Sequence, residues 1–334
     1  MINFVARFKT YYMINRELIR IKVVQITYSY FQNGSKSSDA AEKELLFSLS
    51  QAYDLYNYML MLMVEVNRMA LRTLEMRQSR LRRLGETKML STKFVDNQFI
   101  LQLESNRQLR EFTDNQKRTW ADEEDFVRRL YKEIEESEEY KAYMDAQGRN
   151  YAEDRSVWRR IYRNHICNNE ELDGLLEDMN LYWNDDKAIV DTFVLKTINR
   201  FSEQSNADQP LLPEFRSEAD KEFAMRLMHR TLANAEYYQD LIASTTRRWE
   251  LKRVALMDRV ILQVALAEII SFPNIPVSVS INEYLEIAKM YSTPKSARYI
   301  NGALDTIVKQ LIEEKKLVKD ELKEAAADKD SESE

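Results

Sequence analysis

The sequence predicts an all-α protein. It contains only five glycines and five prolines in 334 residues, and the first proline is Pro210. Tight turns commonly need Gly or Pro, whereas helix interiors exclude Pro and disfavour Gly. The helix formers Leu, Glu, Arg, Lys, Ala and Met are abundant, and apolar residues recur three and four positions apart through long stretches. These observations predict long helices joined by few tight turns.

Composition also indicates the compartment. The single cysteine, Cys167, excludes an intramolecular disulfide and fits a reducing environment. No window approaches eighteen consecutive apolar residues, so no membrane span is expected. The first twelve residues, MINFVARFKTYY, hold two cations and no continuous apolar core, which is unlike a signal peptide. We therefore expect a cytoplasmic protein.

Charge is segregated along the chain, although the formal net charge is only -6. Residues 1–25 and 68–93 are basic, whereas residues 168–186 contain acids and no Lys or Arg. Basic segments of this kind either bind an external polyanion or pair with acidic segments of the same chain.

The first predicted helix runs from Ile14 to Phe31, with apolar residues at spacings of three, four and seven. Arg16 and Arg20 stand four positions apart on another face, where both can point at one external anion. The alternative is an ordinary solvated face, which is the commoner fate of such residues.

A polar loop over residues 33–39 precedes a long helix predicted for residues 40–84, which should stop at Gly85. The end of this helix reads RQSRLRRLGE and is strongly basic. The cluster comprises Arg77, Arg80, Arg82 and Arg83. It can bind phosphate, but such clusters more often pair with acids of the same chain.

Between residues 87 and 213 the pattern predicts further helices and one linker. Acidic residues 122–125 favour a helix start ahead of Phe126, Leu130 and Ile134. A loop is expected at 145–150 around Gly148. Helices are predicted over 156–166, 170–179 and 187–201, the last capped within residues 184–186. The polar, proline-containing segment 202–213 is predicted to be a linker.

The C-terminal third contains the clearest signals for the starts and ends of helices. Helices are predicted over 217–245 and 251–271, the second ending before Pro273. Ser280 and Glu283 fit a capping box that would start the next helix at Ser280. Thr293 followed by Pro294 predicts the start of the last helix. The final ten or so residues lack apolar anchors and are expected to be disordered.

Residues with catalytic or metal-binding potential are sparse. His165 and Cys167 make a poor zinc site, because neither a second Cys nor an HxxxH partner is present. Neither His165 nor His229 has Glu three positions before it, as a di-iron helix bundle requires. No glycine-rich phosphate loop or nucleophile elbow is found. The sequence therefore predicts a binding protein without catalysis and without a metal or other cofactor.

Several stretches together resemble the NusB family of transcription antitermination factors. RELIRIKVVQITYSYFQ is similar to the N-terminal NusB helix, and IPVSVSINEYLEIAK with KSARYINGALD is similar to the C-terminal helices. The resemblance implies five segments. They are an extension (1–12), a first NusB-like helix (13–32), a helical insertion (33–210), C-terminal NusB-like helices (211–315) and a charged, largely disordered tail (316–334).

The family resemblance also implies a function. NusB proteins bind boxA, a single-stranded RNA element, together with the ribosomal protein NusE, and help RNA polymerase read through terminators in rRNA operons. The matched RNA-binding positions are Arg16, Arg20, Tyr291, Lys295, Ser296, Arg298 and Tyr299. The matched NusE-binding positions are Tyr28 and Glu268, the latter an isolated acid beside an apolar run.

Two alternatives stay open at this point. Tyr291 and Tyr299 either stack on bases or are partly buried between helices. The whole chain could instead be a non-catalytic helical scaffold whose partner surface is the insertion. In that case the NusB-like ends would be structural only.

Overall fold

A computed structural model describes residues 13–34, 37–215, 217–245 and 254–321. These residues form α-helices and connecting segments, with no β-strand among them, which confirms the predicted all-α class. In the described part of the chain, no helix combines the length and apolarity that crossing a lipid bilayer requires. The predicted extension 1–12 and the last ten residues lie outside the described residues.

Fourteen helices are discussed below. In chain order they are α1 Arg16–Gln32, α2 Ser38–Arg83, α3 Gln98–Ser105, α4 Arg107–Asp114, α5 Glu124–Glu136, α6 Glu138–Asp145, α7 Tyr151–Ile161, α8 Glu170–Met179, α9 Lys187–Arg200, α10 Glu218–Ala233, α11 Ala235–Thr245, α12 Leu256–Ser271, α13 Val277–Tyr291 and α14 Pro294–Glu313. A short 3-10 helix precedes α5, and a π-helical turn follows α7.

The chain divides into two compact units. The first, called the terminal unit, contains Ile14–Leu49 and Ser217–Glu334. The second, called the insertion unit, contains Met1–Met13 and Ser50–Arg216. The division falls inside α2 and again between Arg216 and Ser217. Helix α2 ends as predicted where Gly85 adopts a positive φ of 78°. That conformation is favourable for glycine because it has no Cβ.

Helix α12 is the centre of the terminal unit and packs against α1, α10, α11, α13 and α14. Every residue from Val260 to Ile269 is buried, in agreement with the broad apolar pattern of this stretch. Its buried Gln263 donates to the Thr231 carbonyl at 2.9 Å and accepts from Gln239 at 2.6 Å. The polar group is thus satisfied inside the core, which offsets the cost of its burial.

An aromatic core holds the insertion unit together. Trp158 stacks on Phe94 with ring centroids 5.2 Å apart. The Trp120 indole N–H donates to the Tyr58 carbonyl at 2.6 Å, so this buried ring has its polar group satisfied. The residues that supplied the predicted start of α5 behave as expected, since Phe126, Leu130 and Ile134 are all buried.

The segment 202–213 is irregular but packed. Leu212 is fully buried, and the Asn106 side chain donates to the Gln209 carbonyl at 2.7 Å. Gln102 donates to the Ser205 carbonyl at 2.8 Å. The predicted linker is therefore held by side-chain amides of α3 and of the α4 cap, and it ends three residues before the insertion unit does.

Three predicted helix limits are wrong. The helix predicted over 156–166 begins at Tyr151, because the Asn150 side chain caps α7 there. The helix predicted over 217–245 is interrupted at Asn234, which ends α10 with a non-helical φ of -112°. Helix α13 begins at Val277 and not at Ser280, because the Ser280 hydroxyl donates to Glu268 inside the core and caps nothing. The start of α12 predicted at Leu251 falls on residues outside the described ones, and the described helix begins at Leu256.

Described residues after α14 belong to the packed terminal unit, although the sequence assigned 316–334 to a tail. Leu317 is buried, and the Lys319 ammonium donates to the Phe272 carbonyl at 2.9 Å and the Ile275 carbonyl at 2.6 Å. Burial lowers the pKa of Lys319. These contacts fix the chain against the end of α12 and the connection that follows it.

Candidate functional site

The first part of the site is a buried ionic cluster that joins three helices of the terminal unit. Arg20 on α1 binds Glu268 on α12 through two parallel hydrogen bonds of 2.8 and 2.9 Å. Its third contact is with Glu283 on α13, at 3.0 Å. The side chain of Arg20 is 5% exposed and that of Glu268 is 0% exposed. The bidentate geometry is the strongest form that an arginine–carboxylate pair takes.

Two hydroxyl groups complete the environment of Glu268. Ser280 donates to one carboxylate oxygen at 2.8 Å, and Tyr284 donates to the other at 3.0 Å. Burial by itself lowers the pKa of Arg20, but hydrogen bonding to Glu268 and its negative charge together raise that pKa above its usual value. Burial and the Glu268 charge also raise the pKa of Tyr284 well above normal. The buried cluster is therefore charged, and its members are hydrogen-bonded to one another.

This geometry corrects two expectations. Arg20 was expected on the surface beside Arg16, but its guanidinium faces the core because Glu268 holds it there. Glu268 was expected to be an isolated acid at a polar interface, but it is buried and accepts four hydrogen bonds. Neither side chain is exposed to contact RNA or a protein partner directly. Both hold α1 on α12 and α13.

Arg16 stands at the start of α1, and its position is fixed by local capping. The Asn15 side chain accepts from the Leu18 backbone N–H at 2.8 Å, which sets the beginning of the helix. The Arg16 guanidinium lies 3.4 Å from Asp220 and over the Phe223 ring. Because its side chain is still 41% exposed, this cation remains accessible from solvent.

The start of α14 supplies further cations. Thr293 accepts from the Ser296 backbone N–H at 3.2 Å, which confirms the predicted cap, and Pro294 occupies the first turn. Lys295 and Arg298 are exposed, and within the described residues neither pairs with a carboxylate. The Ser296 hydroxyl bonds Thr293 at 2.9 Å. The two cations thus stand beside backbone amides whose dipole also favours an anion.

Tyr291 connects the start of α14 with α1. Its hydroxyl accepts from the Gln25 side chain at 3.2 Å, and its ring is half-buried, as is that of Tyr299. Gln25 lies nine residues after Arg16, which is about 13 Å along the helix axis. The predicted RNA-binding residues therefore form two groups on the terminal unit, one at each end of this length of α1. Tyr28, the predicted partner contact, is half-buried one turn beyond Gln25.

Sequence reasoning missed the residues that position these groups. Asp220 holds Arg16, and Asp258 accepts from the Ser292 hydroxyl just before α14. Gln25 lies in the stretch RELIRIKVVQITYSYFQ, and the similarity of that stretch to the N-terminal NusB helix was the only sequence feature that could have indicated it. Aspartates 220 and 258 carried no signal, because each acts across a contact between helices.

The remaining candidate residues form ordinary ion pairs and hydrogen bonds. His165 lies 2.8 Å from Glu133, and His229 lies 3.0 Å from Glu42. In the portion of the chain that is described, no group of His, Cys, Asp and Glu has an arrangement that could hold a metal ion. Arg77 in the basic end of α2 pairs with Glu135 at 2.7 Å, as the intrachain alternative predicted.

Comparison with known proteins shows which family this chain resembles. The NusB family model matches residues 188–309. The transcription antitermination protein NusB of Symbiobacterium thermophilum is 35% identical over 119 residues, which cover 36% of this chain and 74% of that protein. The chain belongs to the NusB family. The residues matched by the family model include nearly all of α9, the helices α10 to α13, and α14 as far as Lys309.

Other NusB proteins are matched over smaller parts. That of Salinibacter ruber is 37% identical over 99 residues, 30% of this chain and 62% of the relative. That of Koribacter versatilis is 41% identical over 96 residues, 29% of this chain and 66% of the relative. The chain thus spans slightly less than two thirds of these two relatives. A solved structure of T. maritima NusB shares 32% identity and covers 35% of this chain and 72% of its own, with a TM-score of 0.27.

Proposed function

We propose that this protein is a cytoplasmic transcription antitermination factor that binds boxA-like single-stranded RNA through its terminal unit. The observation that carries the proposal is the pair of exposed cations, Lys295 and Arg298, at the capped start of α14. They lie within the residues matched by the NusB family model. The antitermination role itself comes from the names of the relatives.

The arrangement suits an extended strand. Arg16 and the α14 cations would neutralise phosphates at two places, and the half-buried Tyr291 and Tyr299 each keep part of a ring for stacking on a base. The axial length of about 13 Å between Arg16 and Gln25 is long enough for several nucleotides but too long for one phosphate. The Arg20–Glu268 cluster would support this face by keeping α1 in place.

The proposed protein partner is the ribosomal protein NusE, with Tyr28 as a direct contact on α1. Glu268 would act indirectly, since it is buried and binds Arg20, which lies eight positions before Tyr28 on the same helix. In this proposal the protein has no catalytic step. It joins RNA and NusE in the antitermination complex of RNA polymerase, chiefly on rRNA operons.

The test compares RNA binding by the purified protein with and without NusE. We expect a boxA-containing RNA to bind better than a scrambled RNA of the same length and composition. Lys295→Gln with Arg298→Gln should reduce the salt slope, the change in the logarithm of the binding constant with the logarithm of the salt concentration, by about 1.4 in magnitude. Each lost phosphate contact on a single strand contributes about 0.7 to this slope. Fluorescence anisotropy at several salt concentrations measures both quantities.

A matched control is available on the same helix and just after it. Lys309→Gln with Lys316→Gln removes two exposed cations at the other end of α14, with Lys309 about 21 Å along the helix axis from Lys295. This variant should keep the salt slope of the parent protein. Equal affinity for boxA and scrambled RNA, with NusE present, would refute the proposed function.

A further inference from the structure

A cation-rich groove lies in the insertion unit, between the C-terminal part of α2 and α5. Its volume is about 880 Å³. The cations that line it are Arg72, Arg77, Arg80, Arg83, Arg128 and Lys132. The acids that line it are Glu75, Glu124 and Glu135. The positive side chains therefore outnumber the negative ones by two to one.

The acids of the groove leave part of this charge uncompensated. Glu135 pairs with Arg77, and Glu124 pairs with Arg128, whose side chain is 58% exposed. Acids outside the groove also pair with Arg72 and Lys132, which leaves Arg80 and Arg83 as the uncompensated cations. Arg80 and Arg83 are exposed, and no carboxylate among the described residues pairs with either. Exposed ion pairs contribute little to stability, so the paired arginines can also turn toward a stronger anion.

The arginines of α2 lie in a row along one side of the helix and do not converge on one point. Arg72, Arg80 and Arg83 lie on one side of the helix, with Met76 between them and 65% exposed. From Arg72 to Arg83 the row extends about 16 Å along the helix axis. A row of guanidinium groups of this length suits the regularly spaced charges of a polyanion better than one isolated phosphate.

We propose that this groove binds the phosphodiester backbone of single-stranded RNA, as a second RNA contact separate from the terminal unit. The proposal rests on the proposed function for its choice of polyanion. The contact is with the backbone and not with bases, because the aromatic residue that lines the groove, Tyr131, is only 5% exposed. Binding here is therefore independent of sequence and depends strongly on salt.

The test uses the full-length protein and two labelled RNAs, a short boxA RNA and the same RNA extended by a mixed-sequence flank of twenty nucleotides. The parent protein should bind the extended RNA more tightly and with a steeper salt slope. Arg80→Gln with Arg83→Gln should lower the slope for the extended RNA by about 1.4 and leave binding of the short RNA unchanged. Thermal unfolding followed by circular dichroism checks that the variant is folded.

The control variant is Arg82→Gln with Arg163→Gln. It removes two exposed arginines from the same unit, and neither lines the groove. If this control lowers the slope as much as the groove variant does, the contact is diffuse surface charge and the groove assignment is overturned. If the flank adds no affinity in the parent protein, the second RNA contact is also overturned.

The outcomes separate this proposal from the function of the terminal unit. A preference for boxA over scrambled RNA tests only the terminal unit, whereas the effect of the flank tests only the groove. Binding of polyglutamate is the remaining comparison. If the groove variant loses polyglutamate binding but keeps the effect of the RNA flank, the groove binds an acidic polypeptide and the RNA assignment is wrong.

Discussion

At the scale of single residues, the Arg20–Glu268 pair makes a strong prediction about stability. Glu268 is fully buried and is the main partner of Arg20, so removing its charge leaves the buried cation with only the partly exposed Glu283 as a counter-charge. Glu268→Gln should therefore lower the free energy of unfolding by about 3–5 kcal/mol. Urea unfolding of the terminal unit, followed by circular dichroism, measures the change.

Its control is Glu286→Gln on α13, where the glutamate is 70% exposed and pairs with Lys289 on the surface. That substitution should cost less than about 1 kcal/mol. The double variant Arg20→Met with Glu268→Leu should be more stable than Glu268→Gln, because it leaves no unpaired charge in the core. A Glu268→Gln loss as small as that of the control would show that the cluster is not buried in solution.

The same pair shows what could be predicted from the sequence at this scale. The spacing of Arg16 and Arg20 correctly placed both on one helix, but the separate polar face it implied is wrong for Arg20, because every residue from Leu18 to Val24 is buried. It could not show that Arg20 turns inward, because the carboxylate that draws it there is 248 positions away. Only local partners such as the Thr293 cap, three positions before Ser296, are visible from spacing alone.

At the scale of elements, the segment after α14 contributes to the stability of the terminal unit. Ending the chain after Lys315 would remove buried Leu317 and Lys319, and with Lys319 the donor to the carbonyls of Phe272 and Ile275. We expect this truncation to cost about 2–5 kcal/mol, because a buried apolar side chain is lost and two carbonyls lose their partner. Thermal unfolding of the two forms measures the loss.

A second truncation, after Glu321, serves as the control for the first. It keeps Leu317 and Lys319 and removes only residues beyond the described ones, so the contacts that stabilise the unit are preserved. If both truncations lower the melting temperature equally, the Lys319 contacts do not account for the effect. Composition alone could not have placed this boundary, because the charged residues around Leu317 and Lys319 are typical of a tail.

At the scale of the whole molecule, the sequence predicted the all-α class because it depends on composition and periodicity, which are local. Helices α8 and α9 were also placed nearly as observed, with α8 at the predicted residues 170–179. Helix α6 was not predicted, and α7 begins at Tyr151, five residues before its predicted start. The unit boundary was harder to predict. The chain crosses it inside the continuous helix α2, where no Pro, Gly or polar loop marks the crossing, and again between Arg216 and Ser217, just after the polar segment 202–213.

That boundary determines how the insertion should be removed. Replacing residues 50–216 with a flexible Gly/Ser linker retains Ala41, Leu45 and Leu49, which are buried and assigned to the terminal unit. We expect this variant to unfold cooperatively, because α12 and the helices around it form a core of their own. It should still prefer boxA RNA over scrambled RNA and lose the added affinity for a long flank.

Deleting residues 36–208 instead removes those three side chains and should therefore give a less stable product. The comparison separates the role of the start of α2 from that of the insertion unit. If the 50–216 replacement folds cooperatively but no longer binds boxA RNA or NusE, the partner surface lies in the insertion. The protein would then be a helical scaffold whose NusB-like unit is structural, because that unit would be intact and inactive by itself.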